Sequence, residues 1–102
     1  MARNILVTGA ASGIGAEICK TLASAQTNFL VHTRSNKQGL DKIVRYIEGV
    51  GGRAEQKFSD LSIKGEGRKL IKEAVQHFDG LDVIIANAGY ANKTSIIDMT
   101  DA

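Results

Sequence analysis

The sequence contains no proline, a single cysteine and no long apolar run. One cysteine, Cys19, permits no internal disulfide and suits a reducing compartment. The apolar stretches fall far short of the roughly 20 residues needed to cross a bilayer. The N-terminal Met-Ala-Arg-Asn has none of the apolar character of a signal peptide, so a cytoplasmic protein without membrane attachment is expected. Charge of one sign is also missing. Thirteen Lys and Arg against eleven Asp and Glu leave a net +2 with the signs interspersed, which gives no footprint for nucleic acid. No His/Cys/Asp cluster has metal-ligand spacing, and no metal is expected. Asn92-Lys93-Thr94 matches a glycosylation acceptor, but without a secretory signal the match is fortuitous. For the missing proline we find no physical account.

What is present is ordinary globular material. Apolar residues make up 43% and charged residues 24% of 102, which argues against disorder and allows one domain over 1–102. Asn4–Val7, Asn28–His32 and Leu81–Asn87 read as buried strands, and Arg53–Phe58 as a weaker one. Between them, Ile14, Ile18 and Leu22 share one helical face. Leu40, Ile43, Val44 and Ile47 share a second, and Leu70, Ile71, Ala74, Val75 and Phe78 a third. Gly49 to Gly52 supply a helix stop. Gly65 and Gly67 weaken the start of the third helix by about 1 kcal/mol each relative to alanine. Alternation of strand and helix with short links requires parallel strands, so the expected fold is an open, doubly wound α/β sheet of the Rossmann type.

The densest chemical signal is Thr8-Gly9-Ala10-Ala11-Ser12-Gly13-Ile14-Gly15, directly behind the apolar Ile5-Leu6-Val7. A strand that feeds a glycine-rich turn opening a helix suits a pyrophosphate. One glycine permits the turn, one admits the ligand, and one lets helix and strand pack closely. The N–H groups at the helix start complete an anion site.

The spacing Gly-x-x-x-Gly-x-Gly behind Thr8 resembles the short-chain dehydrogenase/reductase family. Three later elements fit the same family: His32-Thr33-Arg34-Ser35 after the second strand, Asp60-Leu61 after the third, and Asn87-Ala88-Gly89 after the fourth. The last departs from the family's Asn-Asn-Ala-Gly only in having Ala86 first. The resemblance covers essentially the whole chain. It implies a nicotinamide dinucleotide site built from Gly9, Ala11, Ser12, Gly13, Ile14, Gly15, Thr33, Arg34, Ser35, Asp60, Leu61, Asn87, Ala88 and Gly89. The expected cofactor is NADP(H) rather than NAD(H). An acid for the ribose hydroxyls is replaced by Thr33, and Arg34 can clamp a 2′-phosphate, with Ser35 adding a hydroxyl and Lys37 positive potential. A solvated surface arginine is the alternative for Arg34, and a cap of the third helix the alternative or additional role for Asp60. Cys19 reads as a small core residue, His32 as a packing residue that can approach adenosine, and His77 as a partner of a helix C-terminus.

The resemblance also marks a gap. Family members move a proton through a Tyr-x-x-x-Lys pair helped by Ser and Asn. Here Val50 and Thr94 stand four residues beyond Tyr46 and Tyr90, so neither tyrosine starts that motif and no catalytic residue is assigned. The segment Ile96–Ala102 matches the start of a long family helix that carries the catalytic Asn and much of a subunit interface. The expectation is therefore the amino-terminal, cofactor-binding part of a homo-oligomeric oxidoreductase acting on a small carbonyl or alcohol substrate. The strand end with Arg34-Ser35-Asn36 looks like 3-oxoacyl-(acyl-carrier-protein) reductases. Its fourth strand would have an open edge and its isolated stability would be marginal. The alternative is a short nucleotide-binding protein without catalysis, or a degenerate gene product. A flavodoxin-like or epimerase-type fold is disfavoured by the glycine spacing.

Overall fold

The computed structural model describes residues 3–87. Ala88, Gly89, Tyr90 and the segment 96–102 lie outside the described residues. Seven elements alternate along the chain: β1 (Arg3–Thr8), α1 (Gly13–Leu22), β2 (Thr27–Thr33), α2 (Lys37–Gly49), β3 (Arg53–Phe58), α3 (Glu66–Phe78) and β4 (Val83–Ala86). The four strands form one parallel sheet in the order β3-β2-β1-β4. The expected α/β fold is thus observed.

Strict alternation along β1 and β2 explains the layering. Ile5, Val7, Phe29 and Val31 point to one face, where Cys19 of α1 and Leu40, Ile43 and Ile47 of α2 cover them. Leu6 and Leu30 point to the other face, against Leu70 and Ala74 of α3. Both faces of the central strands are therefore dry, as parallel strands require. α2 ends where the glycines put it. The N–H groups of Gly51 and Gly52 return to the carbonyls of Glu48 and Ile47, with Gly51 at φ +95°.

Three expectations need correction. Ile14 is 69% exposed, and the buried line of α1 runs through Gly15 and Cys19 instead. Gly15 packs against the carbonyl of Gly9, so the side one residue earlier turns away from the sheet. On α3, Val75 is 43% exposed because Leu70 and Ala74 already occupy the narrow contact with Leu6 and Leu30. The fourth strand is shorter than Leu81–Asn87. Asp82 belongs to the entry turn, its N–H donating to the Asn4 carbonyl and its carboxylate accepting from the Asn4 N–H.

The crossover from β3 to β4 passes under two strands and lands beside β1. The order in which strands are added switches sides at β1/β4, and a crevice opens at the carboxyl ends of these parallel strands. In open α/β sheets that is where ligands bind.

Candidate functional site

At that crevice lies a cavity of about 440 Å³, a volume in the ordinary range for small-molecule sites. The turn after β1 supplies Gly9, Ala11, Ser12, Gly13 and Ile14; the end of β2 supplies His32, Thr33 and Arg34. The segment after β3 adds Ser59, Asp60, Leu61 and Ser62, and Asn87 follows β4. Most of the residues expected from the sequence are thereby brought together. Gly15 stands behind the wall, and Ser35 is not among the lining residues.

The glycines adopt conformations and contacts that suit a residue without a Cβ. Gly9 and Gly13 adopt φ of +63° and +59°, in the left-handed region. A Cβ on Gly15 would overlap the Gly9 carbonyl oxygen and lie 2.9 Å from Asn87 Nδ2. Close packing of helix against strand thus depends on its absence. Thr8, fully buried, ties β1 to β4: its hydroxyl accepts from the Asn87 N–H at 2.8 Å. The spacing from Thr8 to Gly15 is in this way a spacing between two strand ends and one helix start.

α1 begins without a side-chain cap. Ser12 occupies the N-cap position but makes no cap hydrogen bond, and no acid stands in the first turn. The first-turn N–H groups and the positive end of the helix dipole are left to the cavity, which suits a pyrophosphate. The residues present fit a dinucleotide.

His32 is the one wall residue whose importance was underrated in the sequence. It is only 3% exposed, and both ring nitrogens are used. Nδ1 accepts from the Gly9 N–H at 3.3 Å, and Nε2 donates to the Ser59 carbonyl at 2.9 Å. An amide N–H can only donate and a carbonyl can only accept, so the ring is the neutral Nε2–H tautomer. Burial lowers its pKa below 6.5, opposed by the Ser59 hydrogen bond. The ring therefore joins the glycine turn to the end of β3. Its position beside Thr33 at a strand end was visible in the sequence; its partners, 23 and 27 residues away, were not.

The charged residues arrange themselves differently from expectation. Lys37 does not add free positive potential, because it pairs with Asp41 at 3.1 Å one helical turn on and is not in the cavity wall. Asp60 does not cap α3, whose N-cap is Gly65 at φ +89°. Instead its Oδ1 accepts from the Ser62 N–H at 3.0 Å and the Ser62 hydroxyl at 2.6 Å, closing an Asx turn. Those two bonds, with the Arg34 charge, hold its carboxyl below the usual carboxylate range. Arg34 reaches Asp60 Oδ2 at 3.4 Å. The Thr33 hydroxyl accepts from the Asn36 N–H, and Asn36 caps α2. Among the described residues, no group of three His, Cys, Asp or Glu could hold a metal ion, and no helix is long and apolar enough to cross a membrane.

Comparison with known proteins agrees with this geometry. The family model described as short chain dehydrogenase matches residues 3–102. An oxidoreductase of Methylorubrum extorquens, itself described as uncharacterized, is 38% identical over 96 residues. Among solved structures, acetoin dehydrogenase from Enterobacter cloacae superposes with a TM-score of 0.81 at 34% identity over 96% of this chain. A short chain dehydrogenase from Burkholderia cenocepacia in complex with NADP gives 0.80 at 30% identity over 94%. The chain spans 39% of the length of each of these three proteins.

Proposed function

The chain belongs to the short-chain dehydrogenase family, and on that premise we propose that it is the cofactor-binding part of an NADP(H)-dependent oxidoreductase. The bound nicotinamide would supply or take up the hydride exchanged with a carbonyl or alcohol carbon. The chain's own residues bind and orient. The uncapped start of α1 holds the pyrophosphate, Gly9 and Gly15 let the backbone come close enough, and Asp60, Leu61 and Asn87 line the adenosine and nicotinamide approaches. No Tyr-x-x-x-Lys pair occurs among the 102 residues, so no proton-transfer role is assigned to them.

The observation that carries the NADP(H) preference is the end of β2. No carboxylate stands at Thr33 to repel a 2′-phosphate, and Arg34 on the cavity wall carries a guanidinium suited to it. The run Arg34-Ser35-Asn36 further supports a reading close to 3-oxoacyl-(acyl-carrier-protein) reductases. A cytoplasmic homo-oligomer acting on a small carbonyl or alcohol substrate completes the proposal. Its test is Arg34→Ala, with NADPH and NADH affinities measured by calorimetry. Loss of a charge-assisted contact should weaken NADPH about tenfold or more while leaving NADH little changed. Equal affinities before and after substitution would refute the preference.

A further inference from the structure

The Arg34 guanidinium already has a carboxylate partner. We propose that Asp60 is a specificity-determining residue: by pairing with Arg34 it competes with the ribose 2′-phosphate and holds the preference for NADP(H) below what Arg34 alone would give. The inference rests on the dinucleotide reading above and concerns how its selectivity is set.

Three features support it. Asp60 is fixed rather than free, because Ser62 binds Oδ1 through both its N–H and its hydroxyl, leaving Oδ2 for Arg34. Its side chain is 27% exposed while that of Arg34 is 76% exposed, so the carboxylate is the anchored member and the guanidinium the solvent-facing one. Both line the same cavity, and they are the charged side chains on its wall among the described residues. A phosphate arriving at Arg34 must take the guanidinium from Asp60 or share it. NADH, without the 2′-phosphate, leaves the pair as it is. Asp60 therefore acts on the ratio of the two affinities, beyond any contact it makes with the adenosine common to both. Hydrogen bonding by Ser62 and the Arg34 charge hold the carboxyl well into its ionised form at neutral pH, so the competition operates there.

The test is a double-mutant cycle with Asp60→Asn and Arg34→Ala on the full chain, reading the ratio of NADPH to NADH affinity by calorimetry. Asparagine keeps an oxygen for the Ser62 turn and removes the charge. Asp60→Asn should raise the ratio about three- to five-fold, the scale of an exposed ion pair. In the Arg34→Ala background the same substitution should leave the ratio unchanged. An unchanged or lowered ratio in the single variant would overturn the proposal. So would an equal rise in both backgrounds, which would mean simple repulsion of the phosphate. If the unsubstituted chain bound neither dinucleotide, the dinucleotide reading itself would fall, and this inference with it. Should Asp60→Asn not fold, Asp60→Ser preserves a hydroxyl acceptor for the turn and is read in the same way.

Discussion

Substituting His32 by leucine probes the joint between the two halves of the cleft. Leucine matches much of the ring's volume but offers neither an acceptor to the Gly9 N–H nor a donor to the Ser59 carbonyl. Two hydrogen bonds at a site 3% exposed are removed. At about 1–3 kcal/mol for each buried partner left unpaired, with leucine's extra apolarity offsetting part of the loss, the variant should be less stable by about 2 kcal/mol near neutral pH.

The pH dependence makes the test sharper. Burial lowers the folded pKa of His32 below 6.5, so in acid the unfolded chain takes up a proton that the folded chain resists. Stability from this group is complete above the unfolded value and is lost as pH falls from there toward the folded value. The slope in that window is at most about 1.4 kcal/mol per pH unit. Leucine has no such titration. Urea unfolding followed by circular dichroism at about pH 8 and about pH 5 should show the gap between the two proteins narrowing on acidification. A gap that stayed constant would remove the titration from the argument. A gap that widened would reverse the sign and mean that the imidazolium is the form the fold prefers.

Further consequences follow from single residues. Gly15→Ala should abolish dinucleotide binding and destabilise by about 1–3 kcal/mol, since its Cβ meets the Gly9 carbonyl. Gly49→Ala, with nothing within 4 Å, should be neutral or stabilising by up to about 1 kcal/mol in the same urea assay. Thr8→Val keeps the shape but removes the acceptor of the Asn87 N–H, so a loss of about 1–3 kcal/mol and faster exchange of that amide are expected by NMR. Cys19 is fully buried and its thiol is pushed up to about 12 by desolvation, so a thiol reagent at neutral pH should label it only on unfolding. Labelling of the native chain would mean that α1 opens locally.

The sequence foretold the elements where one periodicity dominates. β1, β2 and α2 were legible because their apolar residues recur at the spacing of a doubly covered strand or of one helical face. α1 was misjudged at Ile14 for a specific reason. A periodicity reading weighs apolar side chains, and the residue that faces the sheet there is Gly15, which has none. The packing of α2 was hidden in the same way. A Cβ on Gly39 would collide with the Ala11 carbonyl, so a second glycine sets how near a helix comes to the turn. In the site, the turn after β1 and the residues Arg34, Asp60 and Asn87 were readable from motif spacing. The Arg34–Asp60 pair and the His32 bridge were not, because each joins residues more than 20 positions apart. Lys37 was misread because its partner Asp41, four residues on, was not weighed against the cavity.

The cavity wall divides its work between backbone and side chains, and the division decides what mutations there can do. The anion site proposed for it is made of main-chain N–H groups at the start of α1, which no substitution of a side chain's charge can remove. His32 contributes no charge, since its two partners fix the neutral form. The full charges on the described wall are those of Arg34 and Asp60, and they face each other. Changes to backbone geometry, such as Gly15→Ala, should therefore govern whether a dinucleotide binds at all. Changes to Arg34 or Asp60 should govern which one. If Arg34→Ala weakened NADPH and NADH by equal factors, the division would fail, because a side-chain charge would then be contributing to the part of the ligand that both share.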